Sequence, residues 1–282
     1  MKVYVPNISK TNLGGGFRFI QNFKKALKDK VEFVDRWQDC DIIFVFGITT
    51  IDKDEIKQAV EAGRKLVLRV DNIPKKSRNR RQSPAERLKE FGEIASLVIY
   101  QSEWCKKYAG YFAGEGIIIN NGVDPEIFNT DGRESDGNTY LYINYNDNPN
   151  KRFDEAVYRF EMIWRENNKA SLVVAGNVPS IFLECPACNW DLNVPAKSEY
   201  AGIMNTPEEV ASLMKTCDYL LFPSFAEAYP NTILEAMACG LEPVFLNEEG
   251  GAIEAHNNSV EKVKTIQEMG DEYLEQFNKI LK

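Results

Sequence analysis

The chain has 282 residues, 44% of them hydrophobic, with a formal net charge of −8 and a pI of about 5.0. That length suits one large or two ordinary domains, and the apolar content excludes global disorder. The acidic balance excludes a uniformly basic nucleic-acid-binding surface, and the sequence holds no apolar run of about 18 residues that would span a membrane.

The opening MKVYVPNISK lacks the apolar stretch of a secretion signal, so a cytoplasmic protein is expected. Cys40, Cys105, Cys185, Cys188, Cys217 and Cys239 are thinly spread, which predicts reduced thiols rather than a disulfide framework. Cys185 and Cys188 form a C-x-x-C pair. Two more zinc ligands at suitable spacing are missing and the sole histidine, His256, is distant, so the pair reads as a surface loop and no metal is expected.

In chain order, a strand is predicted at 3–5, then a glycine-rich turn, Gly14-Gly15-Gly16, then a helix with Phe17, Ile20, Phe23 and Leu27 on its apolar face. Further strands are predicted at 31–34, 42–46, 66–70, 97–100 and 117–119, with helical stretches between most of them. Residues 129–138 are polar, contain two glycines and read as a linker. The alternation restarts with strands at 140–143, 172–175, 219–222 and 243–246 and helices from Phe153, from Pro207 and up to Cys239. Two α/β units of about 130 residues each are expected, 1–128 and 139–282, with parallel sheets covered on both faces. Ligands of such sheets bind outside the carboxyl ends of the strands, so two facing sheets would share a cleft.

The segment 217–245 carries the most chemistry. After its strand, Glu227 falls in a loop and Glu235 in the early helix, with Asn231 as a candidate cap and Gly240 as a left-handed stop. Carboxylates accept hydrogen bonds from sugar hydroxyls, and free N–H groups at a helix start favour an anion such as diphosphate. The same two glutamates also suit a solvated loop and a helix N-terminus.

This segment resembles the signature of the retaining GT-B glycosyltransferases of family 4, in which two glutamates separated by seven residues bracket a helix start. Asn121-Gly122-Val123-Asp124 with Phe128 resembles the family's inter-domain NGVD…F motif; residues 175–177 (AGN) its nucleotide-side turn; Gly250-Gly251 with Glu254 its GG..E loop; and Gly14-Gly15-Gly16 its glycine-rich loop. The resemblance covers roughly residues 2–256. It implies an α/β, GT-B fold of two Rossmann-like domains facing across a cleft, and transfer of a sugar from a nucleotide-diphosphate donor such as a UDP- or GDP-sugar, with retention, without metal and without a separate cofactor. It also implies that Glu235 binds the donor ribose, Glu227 touches the transferred sugar, Lys151 neutralises the diphosphate, and Gly15 and Gly16 approach a substrate closely, with Gly176 and Asn231 on the donor side.

The sequence departs from the family pattern in three places. Asn144 and Tyr145 stand where the family has glycine and arginine; Lys151 keeps the lysine, and Arg152 is a candidate for the missing charge. The cation pair opposes the macrodipole of the helix it precedes, which favours a functional role. Asp71-Asn72 replaces the family's histidine; Asp71 could meet the acceptor hydroxyl or steady a cationic sugar, or form an ordinary strand-end turn. A helix with Tyr273, Phe277 and Ile280 stands where relatives carry a longer tail that crosses back to the first domain; it crosses back or caps the second.

Lys75, Lys76, Arg78, Arg80 and Arg81 follow the strand ending at Asp71 and are expected to overhang the cleft. They suggest an anionic acceptor, whether a lipid-linked phosphate, a phosphorylated sugar or nucleic acid such as modified phage-type DNA bases, or peripheral contact with a membrane surface. A sugar-nucleotide epimerase and an inactive sugar-nucleotide-binding module are the competing function classes.

Overall fold

The computed structural model describes residues 1–6, 15–48, 51–71, 84–144, 149–177 and 198–282. Among these, two parallel sheets form. The first has the order β2-β1-β3-β4-β5-β6, built from β1 (Lys2–Tyr4), β2 (Glu32–Val34), β3 (Ile42–Val45), β4 (Lys65–Arg69), β5 (Leu97–Tyr100) and β6 (Ile117–Ile118). The second has the order β11-β10-β7-β8-β9, built from β7 (Thr139–Asn144), β8 (Ser171–Gly176), β9 (Ser198–Gly202), β10 (Tyr219–Phe222) and β11 (Glu242–Phe245). Every paired strand runs parallel to its neighbour.

Both faces of the first sheet are buried, and its strands alternate accordingly. Ile43, Val45, Leu66, Leu68, Val98 and Tyr100 point to one core, joined by α2 (Lys53–Glu61), α3 (Pro84–Ile94) and α4 (Glu103–Ala113). Ile42, Phe44, Val67 and Ile99 point to the other, against α1 (Gly15–Leu27). Near-continuous apolar strands are the signature of a doubly covered parallel sheet. The second sheet repeats the scheme. Leu220 and Phe222 face α6 (Pro207–Met214) and α7 (Asn231–Ala238), while Leu221, Leu172 and Val174 face α5 (Phe153–Glu166).

The predicted strands all form, within a residue or two at each end. The polar edge strand β9 and the short helix α8 (Ala252–Asn257) are additional. Residues 129–138 contain no helix or strand, yet they are fastened to the second sheet. Arg133 pairs with Asp218 at 3.2 Å, Glu134 N donates to Lys215 O, and Lys215 Nζ donates to Asn129 Oδ1.

The helix α9 (Ile266–Ile280) crosses back to the first sheet. Its Met269, Tyr273 and Phe277 are fully buried with Phe19, Phe23 and Phe44. Thr265 and Glu268 form a capping box at its start, and Gly270 lies directly on Ala26 of α1. The crossing is tied down where Val123 bridges Thr265 and Gly122 packs so closely that a Cβ there would lie 2.3 Å from Thr265 O. Only glycine fits that approach.

Candidate active site

In an open α/β sheet the strand order reverses at a switch point, and the loops diverging there leave a crevice. In the second sheet that point lies between β7 and β10. Lys151 comes from the loop after β7 and Glu227 from the loop after β10, and they meet there. Lys151 Nζ donates to Glu227 Oε1 at 2.7 Å, and both side chains are about four-fifths to three-quarters buried, with exposures of 19% for Glu227 and 26% for Lys151. Phe225 N donates to Asn150 O, so the two loops are also joined through their backbones.

Among the described residues, two non-glycine positions have positive φ: Arg152 at 49° and Ala226 at 51°. They are the immediate chain neighbours of Lys151 and Glu227. A left-handed conformation costs a non-glycine residue about 1–2 kcal/mol. Strain of this kind persists where surrounding structure over-determines it, and it clusters at functional sites. Arg152 pairs with Glu155 in the first turn of α5, and its guanidinium carbon lies 5.9 Å from the centre of the Phe225 ring.

Gly250 and Gly251 press on the Glu227 loop from the far side. Gly250 has φ 124°, and a Cβ on Gly251 would lie 1.9 Å from Ala228 O. Gly176 has φ 94° at the end of β8, and a Cβ there would strike Asn144 O at 1.6 Å. The backbones at the ends of β7 and β8 can converge only with glycine at this position.

Glu235, one turn into α7, is 92% buried by its 8% exposure, and among the described residues no group donates a hydrogen bond to its carboxylate. Burial raises its pKa, and Arg18 of α1, reaching from the first sheet, opposes that rise. Asn231 does not cap α7 as the sequence suggested. Pro230 stands at the cap, and the Asn231 side-chain oxygen accepts instead from Asn121 Nδ2 at 2.8 Å. The expected left-handed stop is found at Gly240, φ 86°.

On the first-sheet side, Asp71 is paired with Arg69 and accepts from Gln101 Nε2 at 3.0 Å. Arg69 is 2% exposed, lies 3.4 Å over the centre of the Phe19 ring and donates to Asn121 Oδ1 at 2.7 Å. Asn121 Nδ2 in turn faces Gln101 Oε1, Tyr229 O and Asn231 Oδ1. A continuous buried polar network therefore runs from the strand end at Asp71 to the start of α7. Gly15 and Gly16 form the first turn of α1 rather than a loop, with Gly16 against the Phe46 ring.

The sequence profile of the family described as glycosyl transferases group 1 matches residues 123–282, more than half of the chain. The chain belongs to the glycosyl transferases group 1 family. It is a glycosyltransferase, and the matched stretch holds Lys151, Glu227 and Glu235. Its architecture is that of Anabaena Alr3699/HepE solved with UDP and glucose, with a TM-score of 0.68 and 16% identity over 98% of this chain and 89% of that one. AviGT4, a glycosyltransferase involved in avilamycin A biosynthesis, superposes with a TM-score of 0.67 and 12% identity over 99% of this chain and 97% of that one. At such identities the likeness is one of fold, here GT-B. No curated protein sequence matches the chain.

Several residues singled out in this glycosyltransferase's sequence lie outside the described residues: Gly14, Asn72, Tyr145, Cys185, Cys188, and the basic cluster Lys75, Lys76, Arg78, Arg80 and Arg81. Among the described residues, no group of three or more His, Cys, Asp or Glu side chains is arranged to hold a metal ion, and no helix is long and apolar enough to cross a membrane. Arg18 and Arg69 were missed. Arg18 had a signal, since a cation in the first turn of a helix opposes its dipole, the same clue that singled out Lys151 and Arg152. Arg69 had none, because an arginine at the end of an apolar strand reads as solvent-facing.

Proposed function

We propose that this glycosyltransferase moves a sugar from a nucleotide-diphosphate donor, a UDP-sugar in the first instance, to an anionic acceptor, with retention and without a bound metal. The observation that carries the reading is the Lys151–Glu227 pair at the switch point, flanked by the two left-handed residues Arg152 and Ala226. Cleavage of the sugar–phosphate bond builds negative charge on the leaving diphosphate, and a fixed cation stabilises it most where water is excluded. Lys151 supplies that cation, and Glu227 orients the transferred sugar through its hydroxyls. Glu235, buried with no described donor, accepts from the ribose hydroxyls, and the N–H groups at the start of α7 face the phosphates. The UDP and UDP-glucose bound by Anabaena Alr3699/HepE favour uridine as the base. Asp71 lies at the acceptor side, and Lys75, Lys76, Arg78, Arg80 and Arg81 supply the charge an anionic acceptor would meet.

The test is a thermal-shift screen over UDP-, GDP- and ADP-sugars, followed by transfer assays with the stabilising donor in EDTA. A ligand that binds the folded state raises Tm by mass action. A UDP-sugar that stabilises, is turned over in EDTA and yields a product with the donor's anomeric configuration is expected. Inversion, or activity lost in EDTA and restored by Mn²⁺, would overturn the corresponding part of the proposal. Binding without transfer to any acceptor would leave a sugar-nucleotide-binding module.

A further inference from the structure

The start of α4, on the first sheet's side of the cleft, is closed by a side chain from the second sheet's side. Glu254, on α8, accepts from Glu103 N at 2.9 Å through Oε1 and from Trp104 N at 3.1 Å through Oε2. The first N–H groups of a helix have no partner within it, and a carboxylate is the group that best satisfies two of them at once. Ser102, the cap of the same helix and fully buried, accepts from Cys105 N and donates to Ala228 O at 2.5 Å. A Cβ on Gly251 would lie 2.9 Å from the Ser102 hydroxyl. Three hydrogen bonds, two to Glu254 and one to Ala228, thus link the head of α4 to the loops of the other sheet.

Those loops are the ones that hold Glu227. Ala228 follows it directly, Gly251 N donates to Glu227 O at 2.7 Å, and Ala226 N donates to Glu249 O at 3.0 Å. The stretch 249–254 therefore bridges the head of α4 and the backbone on both sides of Glu227. Its glycines admit no side chain and its far end is anchored by the Glu254 carboxylate.

We infer that Glu254 is a positioning residue: by capping α4 it latches the two sheets together, and through Gly251 and Ala228 the latch sets the position of Glu227 against Lys151. This rests on the reading of Glu227 as the group that orients the transferred sugar. Donor binding, which uses Glu235 and Lys151, does not require the latch, whereas transfer does. Glu254 touches no part of the donor in this account, so its loss separates the two.

The experiment compares wild type with Glu254→Ala and with the nearly isosteric Glu254→Gln, which keeps one acceptor oxygen and loses the charge. Small-angle X-ray scattering on the unliganded full chain reads the latch itself. Calorimetric titration with UDP reads donor-site binding, and steady-state transfer reads kcat. Glu254→Ala is expected to enlarge the radius of gyration and to lower kcat about tenfold or more, with UDP affinity no weaker than wild type and up to severalfold tighter, because a displaced Glu227 frees Lys151 for the diphosphate; Glu254→Gln falls between. An unchanged radius of gyration in both variants overturns the latch. A parallel loss of UDP affinity and kcat overturns the positioning role, because Glu254 would then act on the donor site directly. Should wild type transfer no sugar at all, the functional proposal fails on that result, and the scattering comparison still decides whether Glu254 latches the sheets.

Discussion

Lys151 Nζ sits 2.7 Å from Glu227 Oε1, so the cation assigned to the diphosphate is held by the carboxylate assigned to the sugar. The two ligands of Lys151 compete. Glu227→Gln is therefore expected to bind the bare nucleoside diphosphate severalfold more tightly than wild type, while kcat falls about a hundredfold or more, the scale seen when one preorganised transition-state contact is removed. Lys151→Met should lose both binding and turnover. Titration with UDP together with initial rates checks this, and weaker UDP binding by Glu227→Gln would show that the carboxylate does not compete.

Glu235 is expected to trade stability for affinity. A hydrogen bond to a charged group is worth about 1.5–3 kcal/mol, so Glu235→Gln should weaken nucleotide binding by roughly tenfold to a hundredfold. Burial raises the pKa of this carboxyl in the folded protein, which means the folded state favours the protonated form. Its contribution to stability is greatest on the acid side and is lost as pH rises through that raised value. Melting of the unliganded protein across pH should thus show Glu235→Gln gaining on wild type as pH rises, and nucleotide affinity of wild type increasing over the same range. A Tm difference that does not vary with pH would remove the carboxylate from this role.

The capping box of α9 is separately measurable. Lys262, and after it the backbone and side chain of Thr265, hold the Glu268 carboxyl down to about 2. A depressed carboxyl stabilises above its unfolded pKa, and that contribution disappears as pH falls toward about 2. Thr265→Ala should cost about 1 kcal/mol, typical for loss of an N-cap, and chemical denaturation at neutral pH would read it. The difference between variant and wild type should shrink in acid.

Gly251→Ala tests how tightly the Glu227 loop is enclosed. The new methyl would meet Ala228 O at 1.9 Å and the Ser102 hydroxyl at 2.9 Å, so backbone must move. Overpacking of a filled site typically costs about 1–3 kcal/mol. Urea unfolding should show a loss in that range, with turnover falling further than stability. Gly15→Ala, where a methyl meets nothing within 4 Å, is the matched control and should leave stability within about 0.5 kcal/mol of wild type.

Strand positions were legible because both faces of each sheet are buried, which makes runs such as Ile42–Val45 unmistakably apolar. Glu227 and Glu235 were singled out from the strand–loop–helix pattern around β10, and Lys151 through the family resemblance. The strand β9 was not: Ser198–Gly202 is a polar edge strand with an irregular register against β8, so it carries no apolar pattern. The network of Arg69, Asp71, Gln101 and Asn121 joins residues up to 52 positions apart in the chain, and spacing cannot reveal it. The cap of α7 was misassigned because Asn231 is a good capping type locally, while its oxygen is engaged by Asn121 from far along the chain. Glu254 showed its motif in the sequence; its partner, the head of α4, did not.

The return of α9 to the first sheet has a consequence for how the protein is made. Phe19, Phe23 and Phe44 leave the ribosome early, and the Tyr273 and Phe277 rings that cover them are translated only after the whole second sheet. At about 5–20 residues per second the interval is roughly ten to fifty seconds. Through that time an aromatic face lacks its lid, a state that favours aggregation or chaperone capture. The sheet synthesised first is thus the one that finishes folding last.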